Sequence, residues 1–112
     1  MSEPVPQPWE VWHARFDFSE GHGYKHRPII VLATRLDGLL VAMATGVANK
    51  LSLEHGYPIR EWEAAGLDKP SIARLDRIAE IPAGYLGVAG RIGCLTDGDI
   101  DAIKAILAEI TR

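Results

Sequence analysis

"GHGYKHRP", residues 21–28, sets His22, Lys25, His26 and Arg27 between two glycines and a proline. Further on, Thr45 ends an apolar run, and Arg74 and Asp76 stand two apart in "RLDR". If that segment is a strand, the two side chains share a face. These residue types are the parts needed to break an RNA phosphodiester without a metal. A base takes the proton of the ribose 2′-hydroxyl, and an acid gives one to the departing 5′-oxygen. Cations and hydroxyl donors stabilise the charged phosphorane between them. Arginine suits the last task, because its planar fork matches two phosphate oxygens and lysine's point charge does not. Positions 21–35 hold Lys25, Arg27 and Arg35 and no acid, although the whole chain carries a net charge of −3. Spacing alone does not bring these residues together.

Other chemistries weigh less. His22 and His26, four apart, would share a helix face as metal ligands. Gly21, Gly23 and Pro28 oppose a helix there, and no cysteine or carboxylate cluster adjoins. No metal and no cofactor are therefore expected. "GVAGRIG" lacks the strand–turn–helix setting of a dinucleotide fingerprint, and tight turns account better for Gly87, Gly90 and Gly93. Cys94, the single cysteine, excludes an internal disulfide and reads as a small buried hydrophobe. Trp9, Trp12 and Trp62 read as core or interface residues before base-stacking ones. Bland alternatives stand for the candidate site too: Thr45 could start a turn, and Arg74, Asp76 and Arg77 could form a solvated ion-pair face.

The elements that must position these residues follow from periodicity. Residues 1–8, "MSEPVPQP", have little to bury and read as a flexible tail before a single domain over 9–112. In "WEVWHARF", Trp12, Ala14 and Phe16 alternate with Val11, His13 and Arg15, the period of a strand with one wetter face. "DFSEGHGYKHR" reads as a loop. "PIIVLATR" reads as a central strand with Pro28 at its first position, where no ladder donor is needed. Asp37-Gly38 between this run and "LLVAMAT" signals a hairpin. "HGYPI" suggests a further short strand, and "REWEAAGLDKP" a polar stretch with one helical turn. "SIARLDRIAEI" alternates as a strand, and "IPAGYLGVAGRIGCL" reads as turns around one strand. At the end, Thr96 is the predicted N-cap, with Asp97, Asp99 and Asp101 complementing the helix dipole. Ile100, Ile103, Ile106, Leu107 and Ile110 make one apolar stripe, so the spacing predicts a helix over 96–111. Several strands followed by one helix predict a mainly β fold: a small antiparallel barrel of five to seven strands with a C-terminal helix packed on it. No apolar run nears the roughly 20 residues of a membrane span and no signal pattern opens the chain, which fits the cytoplasm.

The order of these motifs resembles the MazF/PemK/Kid family of toxin endoribonucleases. "WEVW" (9–12) is similar to the family's Gly-Glu-hydrophobic-Trp strand, with Trp9 in the glycine's place. "GHGYKHRPIIVL" resembles its Gly-His-Glu loop followed by Arg-Pro and an apolar strand, with Gly23 for the glutamate. "MATG" (43–46) resembles its Pro-hydrophobic-Thr-Ser segment, with Gly46 for the serine. "RLDRI" (74–78) resembles its Arg-x-Asp strand, and "GCLTDGDIDAIKAIL" its Gly-x-Leu turn before the last helix. The resemblance implies an SH3-like, CcdB-like barrel, usually a homodimer, that cuts single-stranded RNA and is restrained by a cognate antitoxin. By position it makes Arg27 and Thr45 stabilisers of the transition state, Arg74 the acid and Asp76 the base. His22 assists at the phosphate, and Lys25, His26 and Arg77 contact RNA. Two rival readings keep the fold: a homologue that binds RNA or protein without cutting, and a gyrase poison like CcdB. The latter would need neither the Arg-x-Asp strand nor the histidine loop.

Overall fold

The computed structural model describes residues 6–17, 24–46, 56–82, 84 and 86–110; for 15–17, 24–26, 45, 46, 76, 77 and 87–89 it describes the backbone only. Six strands are present among these residues: β1 (Glu10–Asp17), β2 (Tyr24–Arg35), β3 (Gly38–Gly46), β4 (Gly56–Pro58), β5 (Ser71–Ile81) and β6 (Leu86–Cys94). One helix, α1 (Asp97–Ile110), follows. The strands form one antiparallel sheet in the order β4-β5-β3-β2-β1-β6. The fold is thus mainly β with a C-terminal helix, as the periodicities predict.

Alternation along the strands sorts the apolar residues onto two faces. Val11, Ile30, Ala42, Ala73 and Leu75 join Ile59, Leu67, Leu95 and Ile103 in one buried cluster. Trp12, Ala14, Ile29, Val31, Leu39, Val41, Ile81 and Leu86 form the other. Helix α1 covers the first face, with Ile103 fully buried and Ile100, Ile106, Leu107 and Ile110 half-buried against it. Thr96 opens the helix as expected: its carbonyl accepts from Ile100 N at 2.9 Å.

Three sequence expectations change. The loop before β2 is shorter than read, because Tyr24–Arg27 already pairs with β1. Pro28 therefore lies within β2, opposite His13, and not at its start. The proline's missing donor falls beside the point where the described β2–β3 register begins, at Ile29↔Met43. Second, the glycines of "GVAGRIG" are not in turns but in β6. Gly93 permits a close approach: a Cβ there would lie 2.1 Å from the Ala65 carbonyl oxygen. Its counterpart Gly66, at φ 93°, would bring a Cβ 2.4 Å from the Ile92 oxygen. Two glycines thus let the 60–66 turn press on β6. Third, Cys94 is exposed, not buried.

Candidate functional site

The candidate residues occupy neighbouring strands. Arg27 pairs with Ala14, so it shares the face of Ala14, Ile29 and Val31. Arg74 pairs with Met43, which packs against that same cluster. Arg27 and Arg74 therefore lie on one face of the sheet, either side of the Ile29↔Met43 pair. Thr45 pairs with Ile72 on β5. Lys25, opposite Phe16, has the same parity as Arg27, whereas His26, opposite Arg15, has the other. His22 lies outside the described residues.

Strand geometry sets the scale. Arg27 and Arg74 are two strands apart and offset by two residues, which puts their Cα atoms roughly 12 Å apart at ordinary sheet spacings. Met43 lies between them on β3. Both are half-buried, their stems against apolar neighbours and their heads within reach of solvent. Two other arginines of the strands, Arg91 and Arg35, point their charge at carboxylates. Arg91 Nε donates to Glu10 at 2.8 Å, and Arg35 Nε lies 3.8 Å from Glu80. Arg27 makes no such ion pair among the described residues.

The β5 strand is irregular where the site needs it. Ala42 pairs with Ile78 and Met43 with Arg74, so β5 advances four residues while β3 advances one. Leu75, Asp76 and Arg77 form the resulting bulge. An odd insertion switches the face parity of a strand. The effect is visible: Leu75 lies in the helix-side cluster and Ile81 in the opposite one, although both are odd-numbered. Simple alternation puts Asp76 beside Arg74, but the alternation breaks at that residue, and Arg77 falls within the break as well. Bulges re-aim side chains and are over-represented next to active sites.

A second polar cluster escaped the sequence reading. Asp99, 1% exposed, accepts hydrogen bonds from Tyr57 Oη at 2.5 Å, Arg60 N at 3.1 Å and Glu61 N at 3.0 Å. Thr96 Oγ1 lies 3.4 Å from the same carboxylate. Burial pushes the Asp99 carboxyl up, but the bonds from Tyr57, Glu61, Arg60 and Thr96 outweigh it and hold it below the usual carboxylate range. Tyr57 is pushed up to about 12, by burial first and then by its bond to the Asp99 anion. These groups line a cavity of about 470 Å³ with Gly98 and Ala102. In the sequence Asp99 looks like any acid in a helix's first turn; its partners are 38 to 42 positions away, and no local signal marks them.

Trp9 is also informative. It is the one non-glycine residue with positive φ among the described residues, at 73°. Its amide donates to Val31 O at 2.6 Å and its carbonyl accepts from Leu95 N at 3.0 Å. Its ring packs against the helix-side cluster with Lys104 Nζ 5.7 Å from the centroid. A backbone in this region is what glycine adopts at no steric cost. That explains physically why a glycine suits the position before the Glu-hydrophobic-Trp strand. The neighbouring Glu10 accepts from Gln7 N at 2.8 Å, Trp12 Nε1 at 3.0 Å and Arg91 Nε at 2.8 Å. Burial raises its carboxyl, and these bonds more than reverse that.

Among the described residues no group of three or more His, Cys, Asp or Glu side chains is placed to hold a metal, and no helix is long and apolar enough to cross a membrane. Comparison with protein families matches residues 7–111 to the family described as PemK-like, MazF-like toxin of type II toxin-antitoxin system. Among solved structures the chain is similar to the Mycobacterium tuberculosis toxin MazF-mt6, at a TM-score of 0.70 and 23% identity. That alignment covers 91% of this chain and 95% of the other, and at such identity the likeness speaks for the fold. A comparison with curated proteins gives no match.

Proposed function

Given that the chain belongs to the PemK-like, MazF-like toxins of type II toxin–antitoxin systems, we propose that it is a metal-independent endoribonuclease acting on single-stranded RNA. The observation that supports this best is the shared face of Arg27 and Arg74 beside the β5 bulge. In this reading the scissile phosphate lies over Met43, between the two guanidinium groups. Asp76 removes the proton of the 2′-hydroxyl, and the freed oxygen attacks phosphorus. The bond from phosphorus to the 5′-oxygen then breaks, and that oxygen takes up a proton. A guanidinium is a poor acid, so Arg74 acts chiefly through its charge, with His22 or solvent delivering the proton. Thr45 and Arg27 hold the extra negative charge of the phosphorane. Lys25, His26 and Arg77 contact the flanking RNA, a local basic lining on an acidic chain.

The products would be a 2′,3′-cyclic phosphate and a 5′-hydroxyl. The test is to incubate the protein with single-stranded RNA in EDTA and identify both ends. RNA should be cut, and the all-deoxy strand should survive because it lacks the attacking hydroxyl. Cutting that requires added metal, or equal cutting of DNA, would sink the mechanism. Family membership also implies an antitoxin partner. The same reading makes the toxin a cytoplasmic homodimer occluded by an antitoxin segment that folds on binding. Half-buried Trp9 and Trp62 are residues of the type enriched at such interfaces. A monomer in light scattering at micromolar concentration would count against the dimer.

A further inference from the structure

Arg74 is held on one side by β4. Among the described residues β4 pairs as Gly56↔Arg74, Tyr57↔Ala73 and Pro58↔Ile72, and Ile59 N donates to Ser71 O at 2.9 Å just beyond it. β4 ends the sheet, so among the described residues no strand supports it from outside. A strand paired on one side only is held better where side chains anchor its other side. Those anchors come from the helix. Asp99 takes Tyr57 Oη from β4 and the two successive amides of Arg60 and Glu61 just beyond it. One buried carboxylate thus grips the strand and its exit turn at three points. Arg74 is the residue at which β4 meets β5, and the β5 bulge begins directly after it.

We propose that Tyr57 and Asp99 are positioning residues for Arg74: they clamp β4 to the start of α1, so that β5 presents the arginine at a fixed place before its bulge. This rests on the reading of Arg74 as a group that touches the phosphate. Removing the Tyr57 hydroxyl frees β4 on its inner side. The first half of β5 then has a looser neighbour on that side, held by the Arg60 and Glu61 amides and its own ladder. Arg74 gains freedom just where placement matters, since a misplacement of about 1 Å at a reacting centre costs up to roughly 100-fold in rate. The cavity beside the clamp leaves Tyr57 room to move once released.

The experiment uses the full chain with Tyr57→Phe, which deletes one oxygen, and Ile110→Ala as a control. Ile110 is a half-buried helix residue with no part in the clamp. Both variants lose some stability, and each is assayed well below its Tm. Tyr57→Phe should lower kcat for RNA cleavage about tenfold with KM within about twofold, and speed amide exchange at Ile72, Ala73 and Arg74. Ile110→Ala should change neither. Equal kcat in the two variants, with unchanged exchange on β5, overturns the proposal. If the parent protein cuts no RNA, the nuclease reading falls by itself; the exchange of Ile72–Arg74 then decides the clamp, faster supporting it and unchanged overturning it.

Discussion

Asp99 and Arg27 are both charged groups set against apolar walls of one sheet, and they are treated in opposite ways. The Asp99 carboxylate is buried and met by a phenol, two amides and a hydroxyl. Arg27 is half-buried on a flat strand face and makes no ion pair among the described residues. Around Asp99 the backbone is fixed by regular bonds to a helix start. Around Arg74 the sheet slips register by three residues. The contrast sets a charge whose bonds lie within the chain beside one that meets no carboxylate among the described residues. A buried charge is tolerable only when its bonds are complete. A cation meant for a phosphate must keep its donors open until the phosphate arrives.

Substitutions on the two sides should therefore move different observables. The largest effect is expected at Asp76→Asn, which should cost roughly 10²–10⁴-fold in cleavage rate, the usual worth of a positioned base. Its melting temperature should stay within a degree or two of the parent; a large drop would place Asp76 on the structural side of the contrast. Asp99→Ala should show chiefly in stability, with cleavage lowered as well through loss of the clamp on β4. It strands two backbone donors and a phenol, so urea unfolding should report a loss of roughly 3 kcal/mol. Less than about 1 kcal/mol would mean that water replaces the carboxylate readily and that the clamp is weak.

pH sharpens the same comparison with no mutation. The Asp99 carboxyl is held below its ordinary value near 3.8, so its stabilisation is complete above that pH and is lost as pH falls through the lower folded value. Tyr57 is raised from 10.0 to about 12, so its contribution is complete below pH 10 and is lost as pH climbs towards 12. Thermal unfolding should thus show a plateau between about pH 4 and 10. In Tyr57→Phe the decline above pH 10 should shrink. An unaltered alkaline limb would assign that decline to other groups.

The smallest effect is expected at Trp9→Gly. Releasing a non-glycine residue from positive φ gains about 1 kcal/mol. Losing the indole's packing and the Lys104 contact costs about 2 kcal/mol or a little more. The net result should be a loss near 1 kcal/mol, read as a small fall in Tm. A rise would mean that strain outweighs packing at this position.

Much of the frame was legible from residue order. Alternation in "WEVWHARF", Asp-Gly between two apolar runs, and the Ile stripe after Thr96 are local signals, and the structure contains the elements they announce. The arginine face was legible only in part. Period-two arithmetic and motif order name Arg27, Thr45 and Arg74, and the register puts the two arginines on one face. It does not foresee the bulge, because a strand's extra residues are defined by its partner and not by itself. Pro28 within β2 was missed because the rule that confines proline to strand starts ignores where a neighbouring ladder begins. The Asp99 cluster was missed for a different reason. Its bonds join residues far apart in the chain, and each residue alone fits a blander role. Cys94 was expected inside on the general habit of free cysteines, and the edge position of β6 sets it outside.

The sheet order also constrains how the chain is made. β1 lies between β2, which follows it after a short loop, and β6, where Arg91 meets Glu10 from 81 positions away. Loop-closure entropy rises only as the logarithm of length, about 0.6 kcal/mol per doubling. The long pairing is therefore affordable, but non-local pairings of this kind slow folding. During synthesis β1 can pair with β2 at once, and must wait for β6 before its second edge is filled. The helix carrying Asp99 emerges later still. β2 and β5, which carry Arg27 and Arg74, therefore emerge before the carboxylate that bonds Tyr57 and the amides of Arg60 and Glu61.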